Sequence, residues 1–242
     1  MRSMAAWVVM LGFAVSLGLV AGAAAGEAEE GFTAIFNGKD LTGWDGNPDF
    51  WSVKDGVVHG ETTQEKPTKG NTFCIWRGGT LEDFELRLAF RIQSGNSGVQ
   101  YRSQDVGNWV VAGYQAEVCN SNAVGFLYHE RGRGSLVQVG QKVVIDKDGK
   151  KEVAGTLGEV KDILADYKKG DWNEYRIIGQ GNHLVHFLNG KQTIDLIDND
   201  EKKGALSGIL ALQIHAGAPM IVEFKDIRLK KLAKEGEKAE QK

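Results

Sequence analysis

Short runs of apolar residues alternating with polar ones recur along the chain, broken every few positions by Gly, Asn or Asp. A period of two over such short stretches predicts strands rather than helices. The predicted strands are Thr33–Phe36, Trp51–Val53, Val57–Glu61, Thr72–Trp76, Phe84–Ile92, Gly98–Ser103 and Tyr114–Cys119 in the first half. Val137–Val139, Lys142–Ile145, Asn173–Gly179, His183–Leu188, Lys191–Asp195, Gly208–His215 and Ile221–Leu229 follow. Lys54-Asp55-Gly56, Asp148-Gly149 and Asn189-Gly190 carry the residues that tight hairpin turns need. Leu157–Tyr167 is the one predicted helix, short and acidic. With no internal repeat and no domain-scale linker, the series predicts an all-β, two-sheet antiparallel β-sandwich in a single domain.

Alternation also says which side chains share a face. It places Gln100 and Arg102 on one side of their strand, opposite Val99 and Tyr101. Gln115 and Glu117 share a face, and so do Gln213 and His215, the latter pair opposite Leu210, Leu212 and Ile214. Three strands thus each offer an apolar side to a core and a polar pair to the other side. Such faces often simply meet water. Here the polar residues are Gln, Glu, His and Arg, flanked by Gly98, Gly113, Gly125 and Gly217, which let a backbone bend or approach a ligand. That points to a polar concave site.

The termini and the charge refine the picture. Arg2 is the only charge before Glu27, an apolar run extends from Ala5 to Val20, and Ala21-Gly22-Ala23-Ala24-Ala25 follows. This is the pattern of a secretory signal over residues 1–25, with cleavage expected before Gly26 or before Ala24. It predicts a secreted or periplasmic protein without stable membrane insertion. The domain is then 26–232, and residues 233–242 form a polar tail with nothing to bury. The net charge of −3 becomes about −4 once Arg2 is removed, which argues against general affinity for nucleic acid. Cys74 and Cys119, each in a strand-like run, are open to a disulfide in an oxidising compartment or to two separate buried thiols.

At these residues the chain resembles the bacterial 3-keto-disaccharide hydrolase domain family. The likeness runs from about Phe32 to Leu232 and rests on ordered pieces: Phe36-Asn37-Gly38-Lys39-Asp40-Leu41-Thr42-Gly43-Trp44, Phe84-Glu85-Leu86-Arg87, Asn96-Ser97-Gly98-Val99 with Arg102, and Gly113-Tyr114-Gln115-Ala116-Glu117-Val118. Gly170-Asp171-Trp172-Asn173-Glu174-Tyr175, Leu188-Asn189-Gly190, Gly208 to His215 and Val222-Glu223-Phe224-Lys225-Asp226-Ile227 complete it. Many members carry an acid and then a Gln where this chain has Gln115 and then Glu117, with Tyr128-His129-Glu130-Arg131 after them. The resemblance implies a concanavalin A-like jelly roll acting on mono- or disaccharide glycosides oxidised at C3. It also implies a separate nicotinamide-dependent sugar 3-oxidoreductase that makes them.

A 3-keto group acidifies the C2 proton, so a base can remove it and the C1 oxygen can leave by elimination. That route needs a base, a proton donor at the leaving oxygen and donors at the ketone, not the paired carboxylates of ordinary glycosidases. His215 and Glu117 are the expected base and acid in either order, with Arg102 at the enolate oxygen aided by Gln115 or Gln213. Gln100 belongs to the same binding face, Tyr128 would stack on the ring, and Glu130 with Arg131 would line the rim. Trp44, Trp51, Trp76, Trp109 and Trp172 are further stacking candidates. No cofactor is clearly implied, although the concave His and Glu could hold a divalent ion that polarises the ketone. His183 and His186, three apart on a strand, point to opposite faces. Asp146-Lys147-Asp148-Gly149 closes as a hairpin, and Asp195–Glu201 is open to a weak calcium site or a solvated loop. A lectin-like carbohydrate-binding module is the main alternative, and an envelope-interaction domain is a third, since fold does not fix function.

Overall fold

A computed structural model describes residues 30–234, so the expected signal and most of the polar tail lie outside the described residues. Seventeen strands and one helical turn make up the domain. The strands are β1 (Thr33–Ala34), β2 (Trp44–Asp45), β3 (Trp51–Lys54), β4 (Val57–Thr62), β5 (Thr72–Trp76), β6 (Phe84–Ser94), β7 (Asn96–Gly107), β8 (Val110–Cys119) and β9 (Leu127–Glu130). They continue with β10 (Gly134–Val137), β11 (Gln141–Ile145), β12 (Lys151–Thr156), β13 (Asn173–Gln180), β14 (His183–Leu188), β15 (Lys191–Asp198), β16 (Ile209–Ile214) and β17 (Met220–Lys231).

Two sheets form. One has ten strands in the order β12-β11-β15-β14-β13-β6-β17-β4-β3, with β1 beside β17; the other has seven, in the order β10-β9-β8-β7-β16-β5-β2. Pairing is antiparallel except between β11 and β15, which run parallel. The hairpins predicted at Asp55-Gly56, Asp148-Gly149 and Asn189-Gly190 join β3 to β4, β11 to β12 and β14 to β15. At Asn189 and Gly190, φ is 47° and 80°, the left-handed pair that matches the twist of the flanking strands.

The expected helix Leu157–Tyr167 shrinks to a single turn, α1 (Val160–Ile163). Glu159 at its N-cap makes no side-chain capping bond, and within the turn only Ile163 is buried. A turn with one buried residue gains too little to propagate. The alternation also left β2, β9 and β12 unpredicted, and β10 ends where Val137–Val139 was expected to begin.

The core lies between the sheets and is built from inward residues of the predicted strands: Val99, Tyr101, Ala116 and Val118 from one sheet, and Leu86, Phe90, Ile177 and Phe224 from the other. Buried polar groups cross it in matched pairs. Tyr101 Oη lies 2.8 Å from His186 Nε2, and burial holds that imidazole down at about 3, so it is a neutral core histidine. Asp198 accepts from Tyr114 Oη at 2.5 Å and from Arg133 at 2.5 and 3.0 Å, while Asp200 lies 3.4 Å from the same guanidinium. The acidic stretch Asp195–Glu201 is therefore neither a calcium loop nor a solvated one at Asp198 and Asp200: both carboxylates are buried against Arg133.

Cys74 and Cys119 are free and buried. Burial pushes both thiols up, which suppresses the reactive thiolate. A thiol reagent should react slowly with the native protein. It should titrate both sulfurs after unfolding, whether or not reductant is present; a single electrophoretic shift on reduction would contradict free thiols.

Candidate active site

The polar face is the side of the seven-stranded sheet turned away from the core. β7, β8 and β16 cross its middle, where Gln100 pairs with Gln115, Gly98 with Glu117 and Ala211 with Gln100. Their inward neighbours take the core, so Gln100, Gln115, Glu117 and Gln213 project onto one face as the alternation predicts.

This face is not open to water along its length. β8 and β5 are separated in the sheet by β7 and β16, yet Phe73 N donates to Trp109 O at 2.9 Å. Trp109 Nε1 donates to Asp45 Oδ1 at 2.6 Å, and Arg77 Nη1 reaches Asp105 at 2.6 Å. The far end of the β7–β8 hairpin thus curls over the face and closes a second small core of Phe73, Ile75, Val111 and Ala211 beneath it. The bend comes from bulges between Tyr101 and Gln104 and between Asp105 and Gly107. Gly113, opposite the first bulge, has φ 146°, and a Cβ there would lie 2.4 Å from Ser103 Oγ. The result is a face walled at one end, a cleft in that sense, rather than a flat one.

A directed chain of hydrogen bonds floors this cleft. Ser103 Oγ donates to Gln100 Oε1 at 2.8 Å, Gln100 Nε2 to Gln115 Oε1 at 2.7 Å, and Gln115 Nε2 to Glu117 Oε2 at 2.9 Å. Asn96 Nδ2 donates to the other carboxylate oxygen, Glu117 Oε1. All four side chains from Ser103 to Glu117 are buried. Gly98 makes the chain possible, because Gln115 lies across it: a Cβ at Gly98 would meet Gln115 Cδ and Cγ at 2.4 Å. Gly98→Ala should therefore destabilise the fold by about 1–3 kcal/mol and displace Gln115 from Glu117. A denaturation midpoint equal to the wild type would show that the floor tolerates a side chain.

Burial pushes the Glu117 carboxyl up. Hydrogen bonds from Gln115 and Asn96 and the nearby His215 pull against that, and Glu130 adds to it. Glu117, His215 and Glu130 therefore share one electrostatic neighbourhood although they lie on β8, just past β16 and on β9. Glu130 accepts from Asn71 Nδ2 and from Gln213 Nε2, each at 3.2 Å, across the width of the face. His215 is exposed, with Nδ1 2.6 Å from Ala216 O.

Arg102 does not join them. It sits in the bulge with φ 46°, which breaks the alternation with Gln100. Its guanidinium is buried against the other sheet, donating to Glu82 O at 2.5 and 2.8 Å and to Gly181 O at 2.6 Å, with Asp83 Oδ1 at 3.2 Å. The shared face expected of Arg102, Glu117 and His215 thus loses its arginine. Tyr128 stands beside Gln115, half-buried, with its ring edge-on to Phe126 at 6.2 Å. Arg131 is exposed in the β9–β10 turn, next to Glu130.

Among the stacking candidates, Trp44 and Trp51 are core residues, Trp76 packs against the core and Trp109 fastens the hairpin. Trp172 is occupied by Arg91 and Lys225, at 4.9 and 4.4 Å from its ring. Asn96 and Asn71 were not singled out in the sequence. Asn96 could have been found by extending the alternation from Gln100 through Gly98; Asn71 precedes β5 and carries no periodic signal.

No group of three or more His, Cys, Asp or Glu side chains suited to a metal ion occurs among the described residues. Both oxygens of Glu117 and both of Glu130 accept from amides, so a divalent ion held by Glu117 and His215 would share its carboxylate oxygens with those donors.

The model of the 3-keto-alpha-glucoside-1,2-lyase-like domain matches residues 31–230. No curated protein matches the chain. Among solved structures, a protein from Parabacteroides distasonis ATCC 8503 assigned to the glycosyl hydrolases is similar at 21% identity and a TM-score of 0.55, covering 83% of this chain and 99% of that one. A galectin-like protein of unknown function from Bacillus subtilis is similar at 12% identity and a TM-score of 0.53, covering 80% and 91%. The carbohydrate-binding module CBM66 from Bacillus subtilis follows at 13% identity and 0.52, covering 79% and 97%. At these identities the likeness is one of fold, the jelly-roll sandwich.

Proposed function

Because this chain belongs to the family of 3-keto-alpha-glucoside-1,2-lyase-like domains, we propose that its cleft breaks glycosidic bonds of sugars already oxidised at C3. The observation that carries this reading is Glu117, a buried carboxylate fixed through both oxygens and placed in the same field as His215. A base for a carbon acid needs a raised proton affinity and a fixed direction, and burial with amide anchoring gives it both.

Glu117 takes the C2 proton. The electrons form the enolate conjugated with the C3 oxygen, then expel the C1 substituent as C1=C2 forms. His215, whose Nδ1–H is engaged by Ala216 O, protonates the leaving oxygen from Nε2 in its doubly protonated imidazolium form and is left with the proton on Nδ1. Water adding at C1 afterwards completes a net hydrolysis. With Arg102 held elsewhere, the enolate oxygen takes its hydrogen bonds from cleft amides, Gln115 and Asn96 being the ones in direct contact with Glu117. The C3 ketone comes from a separate nicotinamide-dependent oxidoreductase. The N-terminal pattern supports a reaction in the periplasm or outside the cell.

The experiment is incubation of the pure protein with a 3-keto-glucoside in D2O, with and without chelator. Release of the leaving alcohol with deuterium entering at C2 is the expected result, and loss on chelation would restore the divalent ion. Binding without release would make the domain a lectin-like module and sink the enzymatic reading.

A further inference from the structure

Asn71 joins two parts of the cleft that the sheet order keeps apart. Its Oδ1 accepts from Ala216 N at 3.0 Å, and its Nδ2 donates to Glu130 Oε1 at 3.2 Å. The amide orientation is fixed by its partners, since a backbone N–H only donates and a carboxylate accepts. Asn71 thus holds the N–H of the His215–Ala216 peptide, while the carbonyl of the next peptide, Ala216 O, faces His215 Nδ1 at 2.6 Å. A carbonyl only accepts, so Nδ1 carries the proton and Nε2 is left to exchange one. The contacts run in series: Glu130 to Asn71, Asn71 to the N–H of Ala216, and Ala216 O, one peptide further on, to the His215 ring.

We propose that Asn71 is a positioning residue of this cleft: it sets the tautomer and direction of the His215 ring and ties that ring's turn to the Glu130 carboxylate. The catalytic consequence rests on the 3-keto-glycoside reading; the effect on the ring does not. His215 lies beyond the end of β16, outside the sheet ladder, so its direction depends on this series of contacts rather than on strand pairing. Asn71 acts through His215 and Glu130 and need not touch substrate.

The two arms of the amide can be separated. Asn71→Asp keeps an acceptor for Ala216 N–H and loses the donor to Glu130; Asn71→Ala loses both. Nitrogen-15 shifts of the neutral His215 ring report the tautomer directly. The wild type and Asn71→Asp should show the proton on Nδ1. Asn71→Ala should move toward the Nε2–H form that free imidazole prefers. On a 3-keto-glucoside, Asn71→Ala should lower kcat about 10- to 100-fold with little change in KM, as a misdirected imidazole does. Unchanged ring nitrogens in Asn71→Ala overturn the proposal. A shifted tautomer in a protein whose wild type turns over no 3-keto-glucoside supports the positioning role and removes the enzymatic reading instead.

Discussion

Glu117→Gln should lower kcat/KM for a 3-keto-glucoside by about 10²- to 10⁴-fold, the contribution usual for a positioned general base. The substitution keeps the volume of the side chain but leaves no group able to take the C2 proton. Deuterium entry at C2 should fall in step with leaving-group release, because both begin with that proton transfer. Glu117→Asp gives a second reading: it retains the carboxylate but withdraws it by one methylene from Gln115 and Asn96, so it should fall between the two. If Glu117→Gln keeps wild-type activity, the base is another group and the assignment fails. The direction of the Glu117 shift adds an independent check. Burial raises its pKa in the folded protein, so between the ordinary glutamate value and the raised one the folded state holds more protons than the unfolded state. Stability therefore falls as pH rises through that window, and kcat/KM rises over the same interval as the base ionises. Glu117→Gln has no such carboxyl to ionise. Its thermal midpoint should gain on the wild type as pH rises, and the opposite trend would show that Glu117 is not desolvated.

What was legible in the sequence depended on how local the cause was. The Asn189-Gly190 hairpin is set by two adjacent residues, and it forms as read. Gln100, Gln115, Glu117 and Gln213 were placed by alternation, which holds wherever a strand is regular, and each is buried on the polar face. Arg102 failed for the converse reason. A bulge at a left-handed residue has no signature in a pattern of apolar and polar positions, and one such residue turns the next side chain to the other face. The cleft itself was not legible. It exists because the β7–β8 hairpin meets β5 across two intervening strands, a contact between Trp109 and Phe73 that no local rule anticipates. Glu130 and Asn71 meet across the same face, so the short β9 and the residue before β5 gained their importance only from the fold.

Arg102→Met should destabilise the protein by about 3–5 kcal/mol, as loss of one member of a buried charged network does. For a domain of this size that lowers Tm by on the order of 10 °C. Arg102 is 1% exposed, and burial lowers its pKa, so the charge is retained against a real desolvation cost. Its compensation is geometric: the fork of donors meets the carbonyls of Glu82 and Gly181, and Asp83 Oδ1 accepts from both Arg102 Nη2 and Gly181 N. Glu82 and Asp83 lead into β6, and Gly181 lies in the β13–β14 turn, so an arginine of the seven-stranded sheet fastens two connections of the ten-stranded one. Methionine fills much of the space and strands those carbonyls without donors. Lysine keeps the charge, but as a point donor it cannot span the fork, so Arg102→Lys should recover only part of the loss. Thermal unfolding of the three proteins checks this, with turnover measured well below the lowest Tm. A structural arginine predicts near-normal kcat in the folded variants. A folded, stable Arg102→Met protein with kcat reduced a thousandfold would instead bring the guanidinium back to the reacting ketone.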